Sequence, residues 1–380
     1  MSPLVVAGGG IVGLAAALAL HQAGLAPSLV EPQALPDAPP AEPDPRVYAL
    51  SPASIGLLQA LGVWEGLPRV QPYHRMQVWD DHPQRALRFE APAWGSPLGA
   101  IVEHGALLAA LAAAVGRAGL PLQADRALHY AAAEQRLTLA SGRHLPAALL
   151  LAADGAASPL REAAGIPVEQ LAYPQQALVA TVRSERAHEG AALQRFLPGG
   201  PLALLPLASG ERSIVWSLPP EEAQRLQALD EARFARELAR AAQDEVGAIL
   251  AVGPRQRVPL QRLQAQRYVQ DGLVLLGDAA HVIHPLAGQG LNLGLGDVAD
   301  LARRLGTAWR EGRDPGSPRL LQAYARARRA ESEDLLRLTD ALYRVYGLDL
   351  PGLRPLLGWG LGLVDRLPPV KQVLLSRALG

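Results

Sequence analysis

The chain has 380 residues, and its 36 Lys and Arg balance 36 Asp and Glu, so no broad electrostatic field for nucleic acid is expected. It has no cysteine, which excludes disulfides, thiolate catalysis and iron–sulfur ligation by this chain and is compatible with a reducing compartment. Apolar residues make up 49%, but Gly, Pro or charged residues break the long apolar runs, so we expect no membrane-spanning helix. The length predicts two domains.

The amino-terminal segment has a dinucleotide-binding pattern. A short apolar strand is predicted over 4–7 and a helix over 14–23. Three glycines between them have the G-x-G-x-x-G spacing: Gly8, Gly10 and Gly13. Glu31, about 20 residues further on at the end of a second predicted strand, is the acid that would hold a ribose diol. The pattern alone does not separate FAD from NAD, and a tight turn between strand and helix is the alternative.

Three further positions in the first half of the chain carry charge next to predicted elements. Arg46 follows a loop rich in Pro and Asp, and an isolated Arg is often a surface or phosphate-pairing residue. Glu103 precedes a predicted helix, where its charge would complement the helix dipole. Asp154 and Gly155 end a buried strand predicted over 148–153, and Asp-Gly by itself is an ordinary turn.

Short alternating runs predict a second, sheet-based unit. They occur over 73–97 and again over 173–266, where two predicted helices, 220–229 and 231–242, interrupt them. We interpret these segments as a mixed sheet that covers a ligand held between two domains.

The segment 277–297 is the most informative stretch of the chain. It follows a predicted buried strand over 273–276 and leads into a helix, so Asp278 lies at the carboxyl end of a strand, where open α/β sheets bind ligands. Five glycines are predicted to let a flat or phosphorylated ligand lie against this loop: Gly277, Gly288, Gly290, Gly294 and Gly296. His281 and His284 have H-x-x-H spacing but no third ligand nearby, so we expect no metal site.

These motifs resemble those of the FAD-dependent aromatic hydroxylases. Asp278, the pair His284-Pro285 and the run 288–292 are similar to the second flavin motif of that family, and HPLAGQGLNLG is similar to its ubiquinone-biosynthesis branch. Parts of the sheet-forming segments look most like the 2-octaprenylphenol hydroxylases that act at ring carbon 5: 73–80, 214–218 and 221–225.

The resemblance implies a set of site residues. The implied flavin-binding residues are Gly8, Gly10, Gly13, Glu31, Arg46, Glu103, Asp154, Gly155, Asp278, Gly288, Gly290, Leu291 and Asn292. In the family the acids corresponding to Asp278 and Glu103 bind ribityl or ribose hydroxyls, and the Asp of the Asp-Gly motif is associated with the pyrophosphate region and NAD(P)H use. The residues implied in catalysis are His284, Pro285 and Arg46.

The resemblance also implies the fold and its division. We expect an α/β chain with a Rossmann-like FAD-binding domain of the p-hydroxybenzoate-hydroxylase type, an inserted β-sheet substrate domain and a helical carboxyl terminus. The FAD-binding domain is expected to be discontinuous, comprising 1–72, 98–172 and 267–345. The substrate domain would comprise 73–97 and 173–266, and the carboxyl-terminal helical tail 346–380.

The implied reaction is hydroxylation of a polyprenylphenol in ubiquinone biosynthesis, at ring carbon 5. NAD(P)H would reduce FAD, and dioxygen would be captured as the flavin C4a-hydroperoxide before one oxygen passes to the ring. There is no second G-x-G-x-x-G, so NAD(P)H is expected to visit the flavin without its own Rossmann domain. Three alternatives stay open: a hydroxylase acting at another ring position, an oxygen-independent prenyl reductase, and a non-catalytic flavin scaffold of a quinone-synthesis complex.

The carboxyl-terminal tail, 346–380, gives expectations about binding partners and cellular location. Its apolar residues, with Arg366, Lys371 and Arg377 beside them, fit a segment that rests on a membrane surface or guides a polyprenyl chain. Packing on the body of the protein and a homo-oligomer contact are the alternatives. Since no secretory leader is visible, we expect a cytoplasmic protein, with peripheral association with the inner membrane or with a quinone-synthesis complex left open.

Overall fold

The computed structural model describes residues 3–91, 95–243, 245–283, 289–347, 363–365 and 367. Four predicted features lie outside the described residues: His284, Pro285, Gly288 and most of the tail. Within the described ranges, no helix is both long and apolar enough to cross a membrane.

Twenty-one strands and eight α-helices make up the described chain. The strands are β1 (Leu4–Ala7), β2 (Pro27–Val30), β3 (Val47–Leu50), β4 (Gln71–Tyr73), β5 (Arg75–Trp79), β6 (Leu87–Glu90), β7 (Gly99–Glu103), β8 (Leu122–Gln123), β9 (Ala127–Ala131), β10 (Arg136–Leu139), β11 (His144–Pro146), β12 (Leu149–Ala152), β13 (Val168–Ser184), β14 (Ala191–Leu197), β15 (Gly200–Pro206), β16 (Arg212–Leu218), β17 (Ile249–Val252), β18 (Gln256–Ala265), β19 (Val269–Gln270), β20 (Leu273–Leu275) and β21 (His281–Val282). The helices are α1 (Ile11–Gln22), α2 (Pro52–Ala60), α3 (His104–Arg117), α4 (Pro159–Ala163), α5 (Pro220–Ala228), α6 (Glu231–Ala241), α7 (Gly290–Arg310) and α8 (Pro318–Gly347).

The first sheet has six strands in the order β19-β20-β12-β1-β2-β8 and is parallel except for the pair β19–β20. Its central strands are short aliphatic runs such as LVVA and LLLA, with every residue buried. That pattern is typical of a parallel strand covered on both faces. One face packs against α1, α3 and α7, and the other against the small sheet of β9, β10 and β11.

The largest sheet has nine strands and is mixed. Its main path is β21-β18-β13-β16-β15-β14-β5-β6, and β17 pairs with β13. All pairs are antiparallel except β14 with β5. Phe234 and Leu238 of α6 pack with Trp79 and Trp216 in the core on one face of this sheet. A second small sheet has the order β3-β7-β4 and is antiparallel.

The prediction for the glycines in the flavin-like motif was wrong at two positions. Gly294 and Gly296 lie inside α7, not in a ligand-binding loop. A Cβ atom on Gly294 would lie 2.9 Å from Val12 Cγ2, and one on Gly296 would lie 2.8 Å from Arg328 Nη2. These glycines therefore allow α7 to pack closely against α1 and α8.

The first strand of the segment predicted over 173–266 begins earlier than expected, since β13 runs from Val168 to Ser184. Its first half pairs with β18 but is exposed and carries polar residues such as Glu169 and Gln170. Without an apolar face, this half gave no periodic signal.

A buried charge network ties α7 to its surroundings. The Asp297 carboxylate accepts hydrogen bonds from the Gly277 amide at 3.0 Å and from His281 Nε2 at 2.6 Å through Oδ2. Its Oδ1 accepts from Arg328 Nε of α8 at 2.7 Å. Burial alone would raise the pKa of Asp297, but His281 and Arg328 outweigh it and lower that pKa. Asp297 is therefore an ionised carboxylate shared by three elements.

We expect Asp297→Ala to lower the free energy of unfolding by about 3–5 kcal/mol, because it removes the buried counter-ion of Arg328 and leaves only the exposed Glu331 as its partner. Asp300→Ala, three residues further along α7, is the matched control. Asp300 pairs with Arg303 and Arg304 on the helix surface, and such pairs contribute less than about 1 kcal/mol. Urea unfolding followed by circular dichroism measures both. Equal losses in the two variants would contradict the special role of Asp297.

Candidate functional site

Four predicted motifs meet at one edge of the six-stranded sheet. The strand register aligns Ala7 of β1 with Val30 of β2 and Ala152 of β12, and Ala152 with Leu275 of β20. Each strand ends at or beside this line, so the residues that follow lie along the same carboxyl edge: Gly8 to Gly13, Glu31, Asp154 with Gly155, and Asp278. This is the edge at which parallel sheets bind ligands.

The three glycines of the first motif have different roles. Gly8 has φ +113°, and a Cβ there would lie 2.2 Å from the Ala153 carbonyl oxygen. A Cβ on Gly13 would lie 2.0 Å from the Gly8 carbonyl oxygen. Both glycines are required by close backbone packing. Gly10 is different, because nothing lies within 4 Å of a Cβ built on it.

Gly10 is the N-cap residue of α1 and provides no side-chain cap. The first amides of a helix have no partner within the helix, so they are available to an anion at its positive end. Open space and uncapped amides together fit a pyrophosphate group.

Glu31 lies immediately after β2 and is held in place by two backbone amides. Its Oε2 accepts from Gly9 at 2.6 Å and its Oε1 from Gln33 at 2.9 Å. A carboxylate oxygen has more than one lone pair, so each can still accept from a ribose hydroxyl.

Asp154 and Asp278 both lack enough hydrogen-bond donors. Asp154 Oδ2 accepts from the Leu160 amide at 3.3 Å, while the buried Oδ1 has no partner among the described residues. Asp278 is exposed to solvent, and no hydrogen bond to its carboxylate comes from the described residues. Desolvation raises the pKa of both carboxyls. Hydroxyl donors of a bound ligand would supply what both carboxylates lack.

The amino end of α7 faces the same region of the chain. Gly290 begins the helix and Gln289, its N-cap residue, gives no side-chain cap. The Asn292 side chain accepts from the Ser51 amide at 2.9 Å and donates to the Ala49 carbonyl at 2.8 Å. It therefore fixes the first turn of α7 against β3 and α2, and leaves the backbone of this turn as the part that could meet a ligand. Leu291 packs against the main core.

Glu103 is buried in a structural ion pair. Its carboxylate accepts from Arg69 Nε at 2.8 Å, from Arg69 Nη2 at 2.9 Å and from the Asp44 amide at 3.0 Å. It occupies the N-cap position of α3 but forms no side-chain cap. Because the charge of Glu103 is already paired with Arg69, a role for Glu103 at the flavin stays a prediction.

Arg46 is exposed and lies beside a pair that the sequence analysis missed. Tyr48 Oη lies 2.9 Å from His104 Nδ1. Burial raises the pKa of Tyr48 to about 12, with Arg46 opposing the shift. Burial and the charge of Arg46 lower the pKa of His104. The phenol and the imidazole that share this hydrogen bond are therefore both neutral. Asp278 also contributes to the raised pKa of Tyr48, so the pair lies close to the sheet edge.

A second group that the sequence analysis missed is the network of Asp297 with His281 and Arg328. The signal was present, because Asp297 lies on the face of α7 that carries Leu293, Val298 and Leu301, and all four side chains are buried. An acid in the middle of an apolar helix face indicates a buried partner. His281 is thus a member of an ion-pair network, and His284 lies outside the described residues.

Similarity to known proteins identifies the family of this chain. A family described as FAD binding domain matches residues 1–339. The ubiquinone hydroxylase UbiL of Rhodospirillum rubrum is 37% identical, and the match covers 100% of this chain and 90% of that protein. The chain belongs to the FAD-dependent aromatic hydroxylases. The 3-demethoxyubiquinol 3-hydroxylase of Escherichia coli strain K12 is 36% identical, with 99% of this chain and 98% of that protein covered. These relatives confirm the resemblance to the ubiquinone-biosynthesis branch.

The fold comparison agrees with the family. The crystal structure of p-nitrophenol 4-monooxygenase PnpA from Pseudomonas putida DLL-E4 matches with a TM-score of 0.79 at 18% identity, covering 100% of this chain and 98% of that one. The predicted fold class, a Rossmann-like FAD domain with a sheet-based substrate domain, is confirmed. This hydroxylase is a FAD-dependent aromatic monooxygenase that uses NAD(P)H and dioxygen. The uncapped α1 amides and the orphan Asp154 oxygen fit that cofactor.

Gly10→Val should weaken FAD binding at least about tenfold and leave the apoprotein folded. The N-cap backbone of Gly10, φ −73° and ψ 176°, suits any residue, and no protein atom opposes a side chain there. The added methyl groups would instead occupy the space of the pyrophosphate. Flavin fluorescence titration measures the affinity, and Gly116→Val, on the equally open surface of α3, is the control. Unchanged affinity in Gly10→Val would refute the assignment of this loop.

Asp278→Asn should weaken FAD binding by about tenfold to a hundredfold, since hydrogen bonds to charged groups contribute about 1.5–3 kcal/mol. The same change should make the apoprotein more stable at neutral pH. A carboxyl whose folded-state pKa is raised stabilises the fold below its unfolded pKa and loses that contribution as pH rises. The Asn variant removes the penalty, so its advantage in melting temperature should shrink as pH falls.

Flavin content and apoprotein melting temperature are measured on the same preparations between neutral and mildly acidic pH. Asp271→Asn, an exposed acid just before β20, is the control for a charge change near the same strand. Full flavin occupancy in Asp278→Asn would exclude this carboxylate from the cofactor site.

Proposed function

We propose that this hydroxylase adds oxygen to the aromatic ring of a polyprenylphenol intermediate in ubiquinone biosynthesis. The observation that carries the proposal is the convergence of four flavin-type motifs on one sheet edge in a chain whose relatives are named ubiquinone hydroxylase and 3-demethoxyubiquinol 3-hydroxylase. FAD, once reduced by NAD(P)H, supplies the activated oxygen. The chain must bind the cofactor, hold the ring beside it and exclude water.

The proposed cofactor contacts follow from the site geometry. The backbone from Gly8 to Gly13 would hold the pyrophosphate, and Glu31 the ribose diol. Asp154 and Asp278 would accept from ribityl or ribose hydroxyls, which would relieve the desolvation of both carboxylates. Backbone amides in the first turn of α7 would meet the flavin ring, with the Asn292 side chain holding that turn in place.

We place the aromatic ring beside β21, at the edge of the nine-stranded sheet. β21 pairs with β18 and ends at Val282, and α7 begins at Gly290. In sequence, only Ile283 separates β21 from the residues 284–288, which are similar to the second flavin motif. This proximity in sequence supports a ring-binding position at the edge of the sheet.

The catalytic roles of His284, Pro285 and Arg46 remain proposals carried by the family resemblance. The surroundings of Arg46 support part of this proposal. Arg46 is exposed at the edge that holds Tyr48 and Asp278, and it lowers the pKa of His104. Its uncompensated charge there would attract an anionic substrate or reductant.

We also propose the two-domain division predicted above. The six-stranded sheet is built from the segments 1–72, 98–172 and 267–345, and most strands of the nine-stranded sheet come from 73–97 and 173–266. Two strands cross these limits, because β13 begins at Val168 and β21 belongs to the larger sheet.

Ring carbon 5 is the position we propose for hydroxylation. It rests on the similarity of the segments 73–80, 214–218 and 221–225 to hydroxylases acting at that carbon. These segments form β5, β16 and the first turns of α5, all in or beside the nine-stranded sheet. A hydroxylase that acts at position 3 is the alternative, as in the name of the Escherichia coli relative.

The decisive experiment supplies the FAD-loaded protein with NADH or NADPH, ¹⁸O-labelled dioxygen and a short-chain prenylphenol. We expect one labelled oxygen on the ring by mass spectrometry, with the position assigned by nuclear magnetic resonance of the product. Asp278→Asn reconstituted with excess FAD is the internal control for flavin dependence.

Two outcomes would overturn parts of the proposal. Reduction of the prenyl chain without label on the ring would replace the hydroxylase with the reductase alternative. Label at a carbon other than 5 would keep the hydroxylase and reject the proposed position.

A further inference from the structure

A cavity of about 520 Å³ lies at one end of the nine-stranded sheet, bordered by β5, β6, the start of β14 and the turn before β14. Arg212 of β16 is part of its lining. Ile214 and Trp216, two and four residues further along β16, pack in the core that α5 and α6 cover. Since alternate residues of a strand share a face, the cavity lies on this helix-covered face.

The cavity is separate from the flavin site. Its lining contains no residue of the segments that follow β1, β2, β12 and β20, within the part of the chain that the structure describes. Its volume lies in the range of small-molecule sites, about 300–1,000 Å³.

Arg212 is the unusual residue of this cavity, because it is only 2% exposed. Its Nε donates to Ser184 Oγ at 3.1 Å and its Nη2 to the Ala187 carbonyl at 3.3 Å. These bonds fix the guanidinium beneath the turn that borders the cavity. The third nitrogen, Nη1, is buried and has no acceptor among the described residues.

The charge of Arg212 also lacks a counter-ion in the described structure. Burial lowers the pKa of Arg212 to about 10, and no acidic neighbour opposes this shift. The side chain is still a cation at neutral pH. A buried cation without a counter-ion is costly, so a site that retains one gains from an anion that enters it.

Three more arginines surround the cavity. Arg75 pairs with Glu189 at 3.2 Å. Arg88 and Arg186 line the cavity and have no carboxylate within ion-pair distance in the described ranges. Two other carboxylates of the lining form no ion pair with these arginines in the same ranges: Glu90 and Glu245. Arg88 also donates to the Pro83 carbonyl at 3.0 Å, but Arg88, Arg186 and Arg212 form no ion pair among the described residues, so their charges are available to an oxyanion.

We propose that this cavity binds a phosphate group, carried by a small molecule or by the headgroup of an anionic phospholipid. Several guanidinium forks around one pocket match the three oxygens of a phosphate better than the two of a carboxylate. Leu193, which packs in the core that α5 and α6 cover, adds an apolar residue to the lining. The site is independent of the hydroxylation assigned to the flavin edge.

Inorganic pyrophosphate is the first probe, titrated by calorimetry into the protein saturated with FAD so that the cofactor site is filled. We expect saturable binding that falls at least about tenfold in Arg186→Gln, because each charge-assisted contact to phosphate is among the stronger hydrogen bonds. Arg186 is exposed, so this variant should fold. Arg117→Gln, an exposed arginine on α3 outside the cavity, is the matched control and should bind as the unmodified protein does.

Arg212→Met gives a second variant that tests the buried group itself. Methionine has a similar length without the charge, and we expect binding to be lost while flavin content is unchanged. If this variant does not fold, Arg186→Gln still decides the question, since it changes a surface residue.

Vesicles distinguish the two sources of phosphate. Co-sedimentation with phosphatidylglycerol vesicles, absent with phosphatidylcholine and lost in Arg186→Gln, would identify a lipid headgroup site. Pyrophosphate binding without vesicle binding would identify a small-molecule site. Absence of both, or binding that Arg186→Gln and Arg117→Gln reduce equally, would overturn the proposal.

Discussion

The buried carboxylate of Asp297 is the interaction on which the geometry of the flavin site depends. It accepts from Gly277, next to Asp278, and from His281, which starts the edge strand of the nine-stranded sheet. It also pairs with Arg328 of α8. One ionised group thus fixes the residue before Asp278, the edge strand β21 and the helices α7 and α8 relative to one another. Its depressed pKa keeps this arrangement charged at neutral pH.

The glycines near the sheet edge fall into two classes, according to whether another protein atom would contact an added Cβ. Gly8, Gly13 and Gly294 are required by the protein itself, since a Cβ on any of them would approach another atom within 3.0 Å. Gly10 meets no protein atom, so its missing side chain leaves room for something else. Open space alone is common at surface glycines, but at Gly10 it lies beside the uncapped first amides of α1, and the two features together fit a pyrophosphate group.

Strands made of continuous apolar runs, and the motifs that follow them, could be predicted from the sequence. β1, β12 and β20 are short, buried and aliphatic, and their register brings Glu31 and Asp278 to one edge, as the motif order implied. Contacts between distant residues were not predictable. Nothing in local spacing joins Tyr48 to His104 or Glu103 to Arg69, because these pairs depend on how β3, β7 and the loop before β4 fold together.

The carboxyl groups at the flavin edge explain why such a site costs stability before it binds anything. Desolvation raises the pKa of Asp154 and Asp278, so both carboxylates are less well solvated in the apoprotein than in water. In the proposed site, hydroxyl groups of the cofactor would compensate for that cost on binding. The buried Arg212 across the nine-stranded sheet has the same physical character with the opposite charge. By the same reasoning, a polar group that the fold buries without a hydrogen-bond partner indicates a position where a bound ligand would supply that partner.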